Sequence, residues 1–126
     1  MSLPMTTTLS LRAGTPSTAL KVRRAATFPS RLRGLLFMAR LQRGEGLLLA
    51  PCASVHTAFM RYAIDVVFLD RSGAICKIVP DLRPWRLAAC AGACQTLELA
   101  AGEASRLQLM AGQRWSQLDR QREQAT

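Results

Sequence analysis

The sequence predicts an α+β domain built on a mostly antiparallel sheet, curved or barrel-like, with two short helices. Three observations predict it. Apolar residues recur with period two in short runs, turn-forming Gly, Pro, Asp and Ser separate those runs, and only two stretches carry the three- and four-residue spacing of a helix. With 126 residues, 49% of them apolar, the chain is long enough for one domain with a real core.

Thr7 to Arg12 and Ala19 to Ala25 alternate as strands do, and Gly14-Thr15-Pro16 supplies the turn of a hairpin. Thr27 is then placed to cap a helix. Pro29 falls in its first turn, Leu32, Leu35 and Leu36 with Phe28 make its apolar side, and Gly34 keeps it short. Gly44-Glu45-Gly46 opens a buried strand, "LLLA", which Pro51 ends. In "SVHTAFM" an extended backbone puts Val55, Thr57 and Phe59 on one face and His56, Ala58 and Met60 on the other. After a bend at Arg61-Tyr62-Ala63, "IDVVFLD" continues that strand, and Asp70-Arg71-Ser72-Gly73 turns it back into "AICKIVP". Pro80 and Pro84 bracket an exposed connection ending in "RPWRLAA", and "QTLELA" is a further strand. A second helix begins at Gly102 or Glu103 and stops at Gly112, before a last strand at Trp115. Residues 1–18 form an N-terminal segment with a first strand, 19–118 the single α+β domain, and 119–126 a polar, fraying tail.

The formal charge of +9 comes from 17 basic residues, nearly all arginine, against 8 acids. Residues 1–45 hold most of the excess, with Glu45 their sole acid. Such a field attracts phosphate, but no aromatic residues interleave with these arginines as a base-stacking surface requires, so nucleic acid is not the expected partner. No apolar run reaches the roughly 18 residues of a bilayer span. The N-terminus lacks the apolar core of a secretory leader, so the expected location is cytoplasmic unless a leader has been removed.

Four cysteines and a single histidine, His56, allow a Cys3His zinc site to be written, but their spacing departs from metal knuckles; no metal or other cofactor is expected. Cys76 is read as core. Cys52 is the candidate nucleophile with His56 as its base, although on a strand residues four apart lie roughly 13 Å apart. Arg61 and Asp65 flank the bend between two apolar segments. They read as an ion pair or, if only partly paired, as part of an anion site with His56 and Trp85.

The run "RLRGLLF … GEGLLLAPCASVHTAFMRYAIDVVFLDRSGAICKIV … TLELAAGEASRLQLMAGQRW" resembles the domain of unknown function 192 family from about Arg23 to Trp115. The matching pieces include Arg33-Gly34-Leu35, His56, Met60, Arg61, Ile64 to Asp70, Gly73 and Ala101-Gly102. Leu35-Leu36 stands where many relatives carry Leu-Met. The resemblance implies a compact α+β domain with a curved, largely antiparallel sheet, of bacterial or archaeal type, and no assigned activity. Some similar proteins are exported.

The functional expectation is a non-catalytic binding or accessory module that uses His56, Arg61, Asp65 and Trp85 to hold a small anionic ligand or an acidic segment of a protein partner. The alternatives are a small cysteine-dependent hydrolase or transferase on Cys52 and a basic nucleic-acid-binding protein.

Overall fold

The computed structural model describes residues 6–12, 18–25, 40–50, 52–58 and 60–116. The expected helix after Thr27, the Gly14–Pro16 turn, Phe59 and the polar tail lie outside the described residues.

The first hairpin forms as its alternation predicts: β1 (Thr6–Arg12) pairs antiparallel with β2 (Thr18–Ala25), Leu9 opposite Leu20. Then comes β3 (Glu45–Leu49), and here the sheet departs from the antiparallel expectation, because β3 runs parallel to β2. A parallel neighbour requires a crossover of a dozen or more residues, and the segment 26–44 exceeds that length. β4 is short (Ser54–His56). β5 (Ile64–Leu69) and β6 (Ile75–Leu82) form the second hairpin, whose turn is fixed by Asp70: its Oδ1 accepts from Ser72 N at 2.8 Å, Ser72 Oγ at 2.7 Å and Ala74 N at 3.0 Å. β7 (Leu87–Ala89), β8 (Gln95–Ala100), the one-turn helix α1 (Glu103–Arg106) and β9 (Arg114–Ser116) complete the order.

Seven strands make one mixed sheet in the order β6-β5-β8-β3-β2-β1-β9, and β4 pairs with β7 in a separate two-stranded ribbon. The expectation that "IDVVFLD" continues the "SVH" strand is therefore corrected. The chain turns at Thr57, whose carbonyl accepts from Met60 N at 3.1 Å, and enters a different sheet. Nor do the named ladders close into a barrel. β6 and β9 end the array, joined by an Ala74–Arg114 bridge and by hydrogen bonds of Ile75 with Gly112 and Gln113. Only α1 of the two expected helices falls among the described residues, and it stops at Arg106, well before Gly112.

β6 also runs through Pro80, where an exposed connection was expected. Proline is tolerated because β6 ends the sheet and the ladder slips there: Ile64 faces Leu82 while Val66 faces Val79. A second slip sits between Phe68, opposite Lys77, and Leu69, opposite Ile75, leaving Cys76 unpaired. That bulge turns Cys76 outward, so the core assignment of this cysteine is corrected.

Among the described residues, both faces of the central strands β3, β5 and β8 are covered. One core joins Leu20, Val22, Leu48, Val67, Leu69, Leu97 and Leu99 to Ala104, Leu107 and Leu109 around α1. The other sets Leu47, Leu49, Ile64, Val66 and Phe68 against Val55 and Ala88 of the ribbon. Central strands buried on both sides read as continuous apolar runs, which is why every residue of β5 is buried. Gly46 lets β3 pair closely with β8: a Cβ there would lie 3.0 Å from Leu99 Cδ2 and 3.1 Å from Leu97 Cδ1, so those side chains would have to give way.

Candidate functional site

The ribbon and the bend after it are joined through one residue. Thr57 is fully buried; its N–H donates to Arg86 O at 2.9 Å and its carbonyl accepts from Trp85 N at 3.1 Å. Its hydroxyl donates to Arg83 O at 2.5 Å and accepts from Arg86 N at 2.8 Å. The 57–60 turn and the link between β6 and β7 are thus fastened to the same side chain and peptide.

Trp85 is held there with φ 64, a left-handed conformation that is costly for a bulky residue, and the residue remains 61% exposed. Leu87, two residues on, is 73% exposed and stands opposite His56 in the ribbon. Arg61, Arg83 and Arg86 are also exposed. Arg83 lies 3.8 Å from Asp81 across two exposed side chains, a spacing that contributes little in water. This corner therefore presents an indole and a leucine beside guanidinium groups.

Of the four expected site residues, backbone connections bring His56, Arg61 and Trp85 to this corner. Asp65 is not part of it. Its carboxylate is 1% exposed and spent on backbone: Oδ1 accepts from Asp81 N at 2.9 Å, and Oδ2 from Gly102 N at 3.1 Å and Ala104 N at 2.8 Å. Gly102, with φ 91, starts α1 without a side-chain cap of its own, and Asp65 supplies the missing acceptor from across the sheet. The Arg61–Asp65 ion pair does not form, because the carboxylate faces α1 while Arg61 faces solvent.

Cys52 and His56 make no nucleophile–base pair in this arrangement. The thiol donates to Ser54 O at 3.1 Å, and the buried His56 Nδ1 has no hydrogen-bond partner. Among the described residues no group of three or more His, Cys, Asp or Glu is disposed to hold a metal ion.

Three further features lie beyond the sequence reading. Thr57 carries no chemical signature that would distinguish it from any strand threonine. Glu98 is 0% exposed beneath the ribbon layer, on the face of β8 opposite Leu97 and Leu99. Tyr62 lies nearby: burial, then the Glu98 carboxylate, raise its phenol above the usual value, opposed by Arg40, whose Cζ lies 5.4 Å from the ring centroid, and by a hydrogen bond with the Leu41 backbone. The "LEL" alternation did place Glu98 away from the two leucines, but only the central position of β8 makes both faces interior. Third, Cys76 and Cys90 meet, with sulfur atoms 3.4 Å apart.

The family described as uncharacterized ACR, DUF192, matches residues 9–117. A UPF0127 protein of Pyrococcus furiosus is 39% identical over 72 residues, 53% of this chain; the match spans 60% of that relative's length. Two crystal structures share the fold. A protein of unknown function from Novosphingobium aromaticivorans superposes with a TM-score of 0.76 at 19% identity, over 88% of this chain and 84% of that one. A Sinorhizobium meliloti protein described as a candidate transcription regulator gives 0.81 at 20% identity, over 94% and 98%.

Proposed function

This chain belongs to the DUF192 family, and we propose that its corner around Thr57 is a docking surface for an acidic segment of a protein partner that also carries apolar side chains. The observation behind this reading is Trp85: a left-handed backbone held by Thr57 carries a large aromatic residue that is 61% exposed. Leu87 extends the apolar contact, and Arg61, Arg83 and Arg86 supply the charge that selects carboxylates. An aromatic anchor ringed by arginine has the composition of an interface hot spot. His56 borders the same face through its pairing with Leu87.

Selection from a displayed random-peptide library tests this. Enriched peptides should combine Asp or Glu with Leu or aromatic residues, and Trp85→Ala should weaken their binding by at least tenfold, which corresponds to about 1.4 kcal/mol. Enrichment without acidic residues, or binding unchanged by Trp85→Ala, would remove the surface from consideration. The formal +9 charge and the name carried by the Sinorhizobium neighbour raise DNA as a competitor. DNA binding would fall steeply with salt and would not need Leu87, so Leu87→Ser separates the two.

A further inference from the structure

We propose that Cys76 and Cys90 form a reversible intramolecular disulfide under peroxide, fastening β7 to the edge strand β6. The bulge at Cys76 is what makes this available: with no partner in the ladder, the residue sets its thiol against Cys90, 3.4 Å away. A bond needs about 2.04 Å, so the two sulfurs must approach by roughly 1.4 Å. The backbone on either side is already positioned. Lys77 Nζ donates to Ala89 O at 2.9 Å, tying the residues next to both cysteines, and Cys90 N donates to Ala53 O at 3.0 Å.

Cys76 is exposed as a residue, but its sulfur is turned toward Phe68 O and Cys90. Burial of the sulfur, then Cys90 and the Asp70 carboxylate, push its thiol up to about 11. Cys76 is therefore protonated at neutral pH, and the first attack falls to Cys90. Hydrogen peroxide is the two-electron oxidant. The Cys90 thiolate attacks one peroxide oxygen, the O–O bond breaks, hydroxide leaves and Cys90 becomes a sulfenic acid. The Cys76 sulfur then attacks the Cys90 sulfur and gives up its proton; the S–S bond forms, the S–O bond breaks and water leaves. Two thiols have lost two hydrogens, and one peroxide has become two waters.

Treating the whole chain with a small excess of hydrogen peroxide and measuring intact mass tests the proposal. The expected product is lighter by about 2 Da, one disulfide, and returns to its starting mass with dithiothreitol. Trypsin cuts after Lys77 and Arg86, so only a disulfide keeps the Cys76 and Cys90 peptides together. Cross-linking a loop of this size should raise the melting midpoint by about 10 °C. Cys76→Ser should leave a sulfenic acid on Cys90 that dimedone traps, whereas Cys90→Ser should abolish the cross-link. Oxygen adducts without a cross-link, a disulfide to Cys52 or Cys94, or a link between two chains would each overturn the proposal.

Discussion

At Asp65 three backbone N–H groups converge on one buried carboxylate, two from the start of α1 and one from the bulge at Asp81. Removing the acceptor strands all three donors, so Asp65→Ala should cost about 3–5 kcal/mol in urea unfolding, with Asp65→Asn intermediate because one carbonyl oxygen survives. Thr57 acts similarly from a neutral hydroxyl. Thr57→Val should cost about 2 kcal/mol, Thr57→Ser less than 1, and only the valine variant should change the fluorescence of Trp85, whose backbone is held by the same residue. Sequence reading placed Asp65 near the bend but could not tell a solvent-facing carboxylate from an interior one. The distinction depends on α1, which follows Asp65 in the chain by nearly forty residues in the Ala104 contact.

α1 is too short to persist by propensity and is held at both of its charged positions. Arg106 donates to both oxygens of Glu103, at 2.5 and 2.7 Å, and Gly44 N donates to Oε2 at 2.8 Å. The Arg106 contact first, then Gly44, hold the Glu103 carboxyl below its ordinary range against the opposing effect of burial. Because the folded value is depressed, the stabilisation is complete above the unfolded value of about 4.3 and is lost as pH falls through the folded one. Asp70, lowered by Ser72 and Ala74, works in the same direction. Urea midpoints should therefore decline below about pH 4. Glu103→Gln should lower stability at pH 6 and flatten part of that decline; an unchanged slope would argue against the assignment. The hairpins were legible because alternation and turn residues are local, as with "IDVVFLD" and Asp70 to Gly73. The parallel β2–β3 pairing and the three-residue β7 were not, since one depends on a crossover and the other on a partner strand, β4.

Across the whole molecule, strength is distributed unevenly. β5 and β8 lie inside the sheet with both faces covered, whereas β4 and β7 have only each other as strand partners. Amides of Val66, Val67, Leu97 and Leu99 should exchange with deuterium at least a hundredfold more slowly than those of Val55 and Ala88, a gap of about 2.7 kcal/mol in opening free energy. Equal protection would mean that ribbon and sheet open as one unit. The outer flank of β6 carries a further meaning for how copies of this chain behave in a crowded solution. Ala74 and Ile75 are occupied by residues 112–114, Cys76 is thrown out of register, Lys77 reaches across to Ala89, and Pro80 has no N–H to offer. A neighbouring polypeptide finds no uninterrupted row of donors and acceptors on which to grow, which is a built-in defence against aggregation.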